Sequence, residues 1–441
     1  MSAVRDRLTL TVERPANGGA AVAHADDGRV VFVRGAIPGE TVTATVVEKK
    51  SGFLVAAVDE VLDASAHRRP PRCAAAAHGA GCCDLDFIDI AHARTLKSQV
   101  LVDVLTRIGG FTPAALAALD GGSPEVGSLD DAESRWRIRT RMAVDGQGRA
   151  GLHEHGGAGI VVGHRCAQPD PLLSDLAALD GTFTPDAELA IVLDDAGRRH
   201  LTEIAPAATR PAAAARDRRR SAQQRRRRRE QPRAQRVIEG EPMARHRVGE
   251  RVWDIPVTGF WQGHRAAPRV YAQTVGEFVA DHTAAARSAA AAGTDVATCW
   301  DLYGGAGVFA AVLTDQVGAR EVHIVDSDAG ALHAAQQTFG ADGPITVHHG
   351  EVAQQIGGLP APQVVVLDPP RTGAGARVID QIVAAAPQVV VYVGCDVARF
   401  ARDLRTFADR GYRTRAIRGF DAFPLTHHIE AIAVLVRSIS R

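Results

Sequence analysis

The sequence lacks net charge, long apolar runs and an apolar leader, and each absence excludes a class of protein. The 441 residues include 51 Lys and Arg against 51 Asp and Glu, so the formal net charge at pH 7 is zero. No uninterrupted apolar run approaches the length of a membrane span. The first residues, Met1–Leu8, contain no signal-peptide core. We therefore expect a cytoplasmic protein without a membrane partner.

Cysteine is also scarce, with six in the whole chain. In a cytoplasmic protein these thiols are expected to stay reduced or to hold a metal rather than to form disulfides. Hydrophobic residues make up 46% of the chain and charged residues 23%, which is typical of soluble globular proteins. The length allows two or three domains with a substantial core.

The zero net charge hides one strongly basic stretch. Between Arg210 and Arg236 there are 12 arginines against Asp217 and Glu230, a net charge of +10, so the remainder of the chain is near −10. The surrounding segment, 205–236, is rich in Ala, Pro and Arg and has no apolar periodicity. We predict that it is a disordered insertion. It either attracts nucleic acid or is a solvated loop, and its composition favours neither interpretation.

Glycine is concentrated in one turn near the middle of the C-terminal half. In the stretch Thr298–Phe309 an apolar strand ends near Asp301 and runs into Gly304, Gly305 and Gly307, before a predicted helix. These glycines allow the backbone to pass close to a ligand. A lone glycine-rich turn is a weak signal, because dinucleotide sites, phosphate loops and plain tight turns look alike.

Three further apolar strands end in residues that carry chemistry. Glu321–Val325 is followed by Asp326, where a nucleotide ribose would be bound. The run ending at Leu367 is followed by Asp368, and the run ending at Val393 leads to Cys395. Strands that alternate with helices predict an α/β fold with a doubly wound parallel sheet. The candidate residues then meet at the carboxyl ends of its strands.

The pattern of the N-terminal segment predicts a small β-barrel. Five short strands separated by turn residues occur between Leu8 and about Leu62, as expected for an oligonucleotide-binding type of barrel. Arg34, Lys49 and Lys50 either meet phosphates or are ordinary surface charges. Farther on, the pattern predicts a helix from Asp89 to about Ile108 and short strands over 136–162. Alternating arginines in the latter, at 137, 139 and 141, either pair with phosphates or form a wet sheet face.

Four cysteines are grouped in the central segment. Cys73, Cys82 and Cys83 fall within eleven positions, and Cys166 follows. Such thiolates predict an iron–sulfur cluster or a zinc site, and the alternative is a set of buried, inert cysteines. Neighbouring cysteines rarely direct both sulfurs at one metal centre, so either Cys82 or Cys83 is expected to be idle.

Taken together, these motifs resemble those of the bacterial RNA 5-methyluridine methyltransferases, over most of the chain. Val30–Val42 resembles a TRAM domain, which implies RNA contact. The other matching segments are the following: Phe260–Gln262, Asp301–Gly307, Asp368–Arg371, Val393–Asp396 and Pro424–Glu430. The resemblance implies a Rossmann-like class I methyltransferase domain that uses S-adenosylmethionine. The substrate would be a uracil in tRNA or rRNA, and we expect a monomer.

The resemblance also assigns roles to residues. A thiolate that adds to carbon 6 of uracil activates carbon 5, and Cys395 is the candidate nucleophile. Because Cys395 precedes a predicted helix at Val397, the helix N-terminus should favour its thiolate. Glu430 is the expected base that removes the carbon-5 proton. The cofactor-binding residues implied are Gln262, Tyr303, Asp326 and Asp368. Cys299, inside a strand, is expected to be structural.

The family's iron–sulfur members suggest a 4Fe-4S cluster at Cys73, Cys82, Cys83 and Cys166. The spacing departs from the family, because eight residues separate the first two cysteines and the third is adjacent. We expect the cluster to be structural, since it is encoded far from the reactive strand ends.

The predicted organisation has three domains. Residues 1–62 form an OB-like TRAM barrel, 63–250 a mixed α+β central domain with the cysteines and the insertion, and 251–441 the methyltransferase domain. Three alternatives stay open: an RNA cytosine carbon-5 methyltransferase, a dinucleotide-dependent oxidoreductase, and a non-catalytic RNA-binding protein that retains the fold. The lack of a Cys in Asp368–Arg371 counts against the first, and Cys395 with Glu430 against the last.

Overall fold

The computed structural model describes residues 6–176, 181–207, 233–289, 296–340 and 343–438. Six strands form an N-terminal sheet: β1 (Arg7–Thr11), β2 (Arg14–Pro15), β3 (Ala21–His24), β4 (Val30–Arg34), β5 (Thr41–Lys49) and β6 (Phe53–Asp63). Their order is β1-β5-β6-β4-β3-β2. Alternate residues of β5 are buried, which produces the apolar interior of a small barrel. The five predicted strands are present, with the short β2 in addition.

A second six-stranded sheet lies in the central part of the chain, with the order β10-β9-β8-β11-β12-β13. Its strands are β8 (Arg139–Val144), β9 (Ala150–His153), β10 (Ile160–Val162), β11 (Glu188–Leu193), β12 (Arg199–Ile204) and β13 (Gln235–Glu239). A hairpin follows, formed by β14 (Met243–Val248) and β15 (Arg251–Pro256). The helices of this part are α1 (Ala74–Ala77), α2 (Ile90–Arg107), α3 (Pro113–Ala117) and α4 (Pro171–Ser174).

The C-terminal sheet has eight strands in the order β18-β17-β16-β19-β20-β22-β21-β7. They are β7 (Val126–Ser128), β16 (Thr298–Leu302), β17 (Glu321–Asp326), β18 (Ile345–His349), β19 (Val364–Leu367), β20 (Val389–Gly394), β21 (Tyr412–Asp421) and β22 (Glu430–Arg437). Its helices are α5 (Ala267–Ala289), α6 (Val308–Asp315), α7 (Ala329–Phe339), α8 (Val352–Gln355), α9 (Gly375–Ala384) and α10 (Val397–Ala408), and Ile356–Gly358 is a 3₁₀ turn.

The predicted parallel sheet is confirmed, and an antiparallel strand extends it at one side. The strands from β18 to β20 are parallel, but β22 is antiparallel to both β20 and β21. The reason is that β21 and β22 are joined by the short loop 422–429, which reverses the chain without a crossover helix. This reversal brings the start of β22 to the same sheet edge as the ends of the parallel strands.

Helix α2 belongs to the core of the C-terminal sheet, although it precedes the central sheet in the chain. It begins after Asp89, whose side chain accepts a hydrogen bond from the His92 amide, close to the predicted boundary. Its buried residues Leu101 and Leu105 lie in one core with Phe400 of α10. Strand β7 pairs with β21 and extends the same sheet. The region between the barrel and the central sheet therefore supports the C-terminal sheet.

The arginines of the 136–144 region make contacts within the protein, and phosphate pairing by those that line the cavity stays a prediction. Arg139 donates through Nη2 to the backbone carbonyls of Pro256, Val257 and Gly259, at 2.7–2.9 Å. Arg141 pairs with Glu188 and with a carbonyl at position 258. A sequence pattern cannot reveal such carbonyl acceptors, because they lie more than a hundred residues away.

Most of the predicted insertion, residues 208–232, lies outside the described residues. Its last residues belong to β13, which pairs with β12, and Arg236 forms an ion pair with Glu203 at 3.1 Å. The predicted boundary at 236 is therefore too late. In the described part of the chain, no helix is long and apolar enough to cross a bilayer.

Candidate active site and cysteine cluster

One large cavity opens at the carboxyl ends of the parallel strands. It has a volume of about 1340 Å³ and is bordered by residues from the central and C-terminal parts of the chain. The predicted site residues that line it are Gln262, Tyr303, Asp326, Asp368, Cys395 and Glu430, with Cys82 and Cys166 from the cysteine group. The structure therefore brings together residues that are separated by up to several hundred positions in sequence.

The glycine-rich turn forms one wall of the cavity. Gly305 and Gly307 adopt left-handed backbone conformations, with φ of 53° and 82°. A Cβ at Gly307 would lie 2.7 Å from both Ile324 and Phe339, so no larger residue fits there. Tyr303 also has a left-handed φ, 59°, which is rare for a non-glycine residue. The Trp253 indole fixes the turn by donating to the carbonyl of Ala306 at 2.8 Å.

Two aspartates anchor this turn from neighbouring strands. Asp326 Oδ2 accepts a hydrogen bond from the Gly305 amide at 2.9 Å, and its Oδ1 accepts from the Asp328 amide at 2.7 Å. Asp301 is fully buried, and its Oδ2 accepts from the Ala310 amide at 2.9 Å. Burial raises the pKa of Asp301 to about 8. Asp301 therefore supports the turn from below, while Asp326 lines the cavity.

Two further carboxyl groups line the same cavity, those of the half-buried Asp368 and the buried Glu430. Burial, with a smaller effect of Asp326, raises the pKa of Asp368 to about 7. Burial also raises the pKa of Glu430 well above its usual value; Asp368 adds to this shift and Arg371 opposes it. Like-charged carboxyls in a desolvated pocket resist ionisation, which is why the pKa of each is raised. Such clusters of shifted groups are typical of active sites.

Cys395 stands directly beside this pair of acids. Strands β20 and β22 are antiparallel, and Gly394 pairs with Ala431 in their register. Cys395 directly follows β20 and Glu430 begins β22, so each occupies the next position along its chain. Burial, then Glu430 and Asp368, raise the pKa of the thiol to about 12, against the opposing effect of Arg371.

In the free protein, burial and the neighbouring carboxyls oppose the predicted effect of the helix N-terminus on the Cys395 thiolate. Helix α10 begins where expected, but its first turn is capped by the side chain of Asp396, which accepts from the Arg399 amide at 2.9 Å. A carboxylate at that position weakens the positive end of the helix dipole. Cys299, by contrast, is fully buried within β16, in agreement with a structural role.

Sequence reasoning missed one residue of the cavity wall. Tyr271 of α5 lines the cavity and is 1% exposed, and its hydroxyl has no hydrogen-bond partner among the described residues. Burial, followed by Glu430, Asp368 and Cys395, raises its pKa well above the usual value. A tyrosine on a predicted helix gives no signal in the sequence, because its position depends on how the helix packs across the sheet.

The four cysteines of the central segment lie together, and neither neighbour is idle. One sulfur from each of Cys73, Cys82, Cys83 and Cys166 falls within 4.8 Å of the others. The sulfurs of Cys73 and Cys82 are 3.5 Å apart, and those of Cys83 and Cys166 are 3.7 Å apart. The expectation that Cys82 or Cys83 points elsewhere is therefore wrong. The group also borders the cavity, so it is not remote from the reactive strand ends.

The donor set fits a bound metal. A tetrahedral ion about 2.3 Å from each sulfur separates the sulfurs by about 3.8 Å, close to the spacing found. Gln168 Nε2 donates to Cys83 Sγ at 3.3 Å, and the Cys73 amide donates to Asp86 at 2.9 Å. Hydrogen bonds of this kind orient and stabilise metal-bound thiolates. The site meets the chemical requirements for a thiolate-bound metal centre.

The cavity also fits an adenosine-containing cofactor. The Gly305 and Gly307 conformations leave room above the turn, and Asp326 stands at the end of the second parallel strand, where ribose hydroxyls are bound in doubly wound folds. A parallel sheet with the added antiparallel β22 and a small N-terminal barrel completes the architecture. Fold and site together define a class I S-adenosylmethionine-dependent methyltransferase with an OB-like domain.

Comparison with known proteins agrees with this class. Residues 2–58 match the TRAM domain family, and residues 290–395 match the methyltransferase small domain family. An RNA methyltransferase of Corynebacterium efficiens is 39% identical over 98% of this chain and 95% of its own length. The 23S rRNA (uracil(1939)-C(5))-methyltransferase RlmD of Halomonas elongata is 31% identical over 97% of this chain and 89% of its own.

Among solved structures, the chain resembles the Pyrococcus abyssi tRNA (uracil-54, C5)-methyltransferase in complex with S-adenosyl-L-homocysteine. The TM-score is 0.66 at 17% identity, with 97% of this chain and 99% of that chain covered. This likeness concerns the fold, including its N-terminal barrel. The chain belongs to the family of RNA (uracil-C5)-methyltransferases that includes RlmD.

Proposed function

We propose that the protein transfers a methyl group from S-adenosylmethionine to carbon 5 of a uridine in RNA, by way of a covalent adduct with Cys395. The observation that carries the proposal is the cavity shared by the glycine-rich turn, Cys395 and Glu430. The relative RlmD, which acts on a uracil in 23S rRNA, supports both the reaction and the RNA substrate.

The cofactor would supply an electrophilic methyl group on a sulfonium. Asp326 would bind the ribose hydroxyls, because it lies at the end of β17 and lines the cavity. Tyr303 and Gln262 border the same space and would contact the remainder of the cofactor. Asp368, which follows β19, would shape the passage between cofactor and base. The buried carboxyls also favour a positively charged ligand over a neutral one.

Cys395 would act first, with its sulfur forming a bond to carbon 6 of the uracil. The electron pair of the former double bond then makes carbon 5 nucleophilic, and carbon 5 takes the methyl group. The thiol must lose its proton for this step, and a pKa of about 12 makes the free thiol unreactive at neutral pH. Binding of the base, with displacement of water, is where the thiol would be activated. Its neighbour Asp368 would accept that proton, which leaves Glu430 to take the carbon-5 proton in the last step.

Glu430 would complete the reaction by removing the proton from carbon 5. The pair of electrons left behind restores the double bond of the ring and expels the Cys395 sulfur. The raised pKa of Glu430 suits a group that holds a proton strongly once it has received one. Glu430 and Cys395 line the same cavity, which would let the base reach a uracil bound to the thiol.

The target would be a uridine in a single strand or an unstacked loop, because carbon 5 and carbon 6 must reach a buried thiol. The sequence relationship with RlmD favours ribosomal RNA over transfer RNA as the substrate. A cytosine methyltransferase is less well supported, because such enzymes commonly carry a cysteine beside the proline of this motif and Asp368–Arg371 contains none.

We further propose that Cys73, Cys82, Cys83 and Cys166 hold a metal centre. The family resemblance implies a 4Fe-4S cluster, whereas four sulfurs within 4.8 Å of one another, two pairs of them at 3.5 and 3.7 Å, would suit a single zinc ion. Protein purified without air and analysed for metals distinguishes the two. Iron with a brown colour supports the cluster, zinc without iron supports the single ion, and the absence of both contradicts the proposal.

The reaction is tested with labelled cofactor and the Cys395→Ala variant. The wild type should methylate RNA and form a stable adduct with 5-fluorouridine RNA, because fluorine cannot leave as a proton. The Ala variant should bind cofactor normally and form neither product. Full methylation by this variant would contradict the assignment. Mapping of 5-methyluridine in total RNA from a deletion strain then identifies the target, and a lost tRNA modification would replace the ribosomal substrate.

A further inference from the structure

The loop that carries Glu430 is in direct contact with the cysteine group. Residues 422–429 connect β21 to β22, and Phe423, Thr426, His427 and His428 from this loop line the cavity. Leu425 is 3% exposed and packs in the same apolar cluster as Cys73 and Cys83. The loop therefore has one side on the reaction cavity and the other on the cysteines.

Hydrogen bonds join the loop to the residues that follow Cys83. The amides of Asp84 and Leu85 both donate to the carbonyl of Leu425, at 3.1 and 3.0 Å. In return, Asp84 Oδ1 accepts from the His427 amide at 2.9 Å, and Asp84 Oδ2 pairs with His427 Nδ1. Four bonds thus connect two segments that are more than three hundred residues apart in sequence.

The loop is held in a conformation that it would not adopt alone. Leu425 has a φ of 69°, in the left-handed region that non-glycine residues avoid. Such a residue persists only where surrounding contacts determine the conformation. For Leu425 those contacts are the two amides at 84 and 85 and the apolar cluster around the cysteines.

A second route connects the cysteines with the same loop. Gln168 donates to Cys83 Sγ at 3.3 Å and accepts from Arg137 Nε at 3.1 Å. The Arg137 guanidinium in turn lies 5.8 Å from the ring centre of Phe423. The N-terminal barrel closes the junction, because a Cβ at Gly19 would lie 2.8 Å from Asp84 and 3.1 Å from His427. Asp84 and His427 therefore have no room to move toward the barrel.

We propose that Asp84 and Leu425 are positioning residues, through which a metal bound at the four cysteines holds the 422–429 loop and sets the place of Glu430. This inference rests on the proposed metal centre and on the proposed role of Glu430. With the metal bound, the 82–85 segment is fixed and the strained loop is retained. When the metal is lost, the segment relaxes, Leu425 leaves its left-handed conformation and Glu430 moves away from Cys395.

The test compares Asp84→Ala, Asp84→Asn and the surface control Asp103→Asn in the metal-loaded, full-length protein. Asp103 lies on α2 and pairs with Arg107, away from both the loop and the cysteines. Metal content, cofactor affinity, amide hydrogen exchange of residues 422–430 and single-turnover methyl transfer are measured for each. The Asn variant retains an oxygen that can accept from the His427 amide.

We expect Asp84→Ala to keep its metal and its cofactor affinity. Exchange of the loop amides should become faster, and methyl transfer slower, by about tenfold or more, the factor for one lost hydrogen bond to a charged group. Asp84→Asn should recover part of the slow loop exchange and part of the methyl-transfer rate. Asp103→Asn should match the wild type in both measurements. Leu425→Ala keeps the hydrogen bonds but removes packing against the cysteines. It should show the same faster exchange and slower methyl transfer as Asp84→Ala, and it replaces that variant if Asp84→Ala does not fold.

Removal of the metal from the wild type by a chelator should reproduce the faster loop exchange. If the metal-loaded and metal-depleted proteins exchange these amides equally, the coupling is wrong, even if methyl transfer and the metal centre are both verified. The coupling is also wrong if the Asp84→Ala and Leu425→Ala variants retain wild-type loop exchange and turnover. Absence of methyl transfer in the wild type would instead contradict the proposed function, and absence of metal the proposed centre.

Discussion

Cys395 directly follows strand β20 and Glu430 begins strand β22, so both stand one position beyond the register pair that Gly394 forms with Ala431. Burial, Glu430 and Asp368 together raise the pKa of the Cys395 thiol to about 12. Because the thiolate is the reactive form, alkylation of Cys395 by iodoacetamide in the free protein should increase through pH 10 without reaching a plateau. An ordinary thiol levels off near pH 9.

The alkylation rate should be measured on the peptide that contains Cys395, by mass spectrometry, so that the other cysteines do not contribute. A plateau at or below pH 9 would mean that the helix N-terminus outweighs burial and the neighbouring carboxyls. Glu430→Gln provides a second check. Removal of an ionisable neighbour should lower the thiol pKa and increase alkylation at pH 9–10, where a carboxylate at that position would oppose the thiolate.

Asp326 should control cofactor affinity. Replacement by Ala removes the proposed hydrogen bond to the ribose and the acceptor of the Gly305 amide, which Asp326 binds at 2.9 Å. We expect binding of S-adenosylmethionine to weaken by about 1.5–3 kcal/mol, the value for a hydrogen bond to a charged group. Calorimetry measures this directly. Asp326→Asn should be intermediate, since its amide oxygen can still accept from Gly305.

Asp315→Ala is the control for this measurement. Asp315 is on α6 and pairs with Arg251 outside the cavity, so its loss should leave cofactor affinity unchanged. Equal affinities for the wild type and Asp326→Ala would remove Asp326 from the cofactor site. Tight binding of NAD in place of S-adenosylmethionine would reopen the oxidoreductase interpretation.

Asp368 should reduce the stability of the protein at alkaline pH. Burial raises its pKa from the ordinary value of 3.8 to about 7 in the folded protein, so the folded state retains a proton that the unfolded state releases. The contribution of this group to the free energy of unfolding is therefore fully present below about pH 4. It decreases as the pH rises toward 7. Asp368→Asn, which is neutral at every pH, should be more stable than the wild type at pH 8, by a few kcal/mol at most.

Thermal unfolding at pH 5 and pH 8 tests this sign. The difference between Asp368→Asn and the wild type should be larger at pH 8 than at pH 5, while the surface variant Asp103→Asn shows no such trend. The Asn variant should also lose activity, because substitutions that stabilise an active site usually reduce its function. A variant that is less stable than the wild type at pH 8 would mean that an ionised Asp368 is well compensated in the cavity.

The strand ends of the C-terminal sheet were predictable, because an alternating α/β pattern places the carboxyl ends of its strands at one edge. Asp326, Asp368 and Cys395 were found in this way, and the cavity they share follows from the same rule. The electrostatic state of Cys395 was not predictable, since it depends on burial and on carboxyls that approach from other strands. The prediction from the helix end considered one contribution and missed the larger ones.

The contact between the cysteine segment and the 422–429 loop could not be predicted from the sequence. Asp84 and His427 belong to segments with no shared periodicity. The left-handed backbone conformation of Leu425 cannot be predicted from its residue type. The same holds for Tyr271, whose buried hydroxyl is defined by the packing of α5. Local patterns identify elements, whereas these relationships arise from how distant elements pack.

The arginine-rich stretch can be removed cleanly, because its flanks are paired. Strands β12 and β13 are antiparallel with Ile204 opposite Gln235, and the Ala205 amide donates to the carbonyl of Ala234 at 2.9 Å. Deletion of 208–232 therefore joins two neighbouring chain ends by a loop of a length that hairpins commonly use. The deleted residues include 10 arginines with Asp217 and Glu230, a net charge of +8.

We expect this deletion to weaken RNA binding at low salt and to flatten the dependence of affinity on salt concentration. Each phosphate contact that is lost should reduce the logarithmic slope by about 0.7 for single-stranded RNA. The methylated uridine should be unchanged, because phosphate contacts position the substrate and base contacts specify it. A variant of wild-type length with the 10 arginines changed to Gln separates charge from length, and it should behave like the deletion. An unchanged slope in both variants would identify the stretch as a passive insertion, whereas a shifted methylation site would show that it takes part in selecting the uridine.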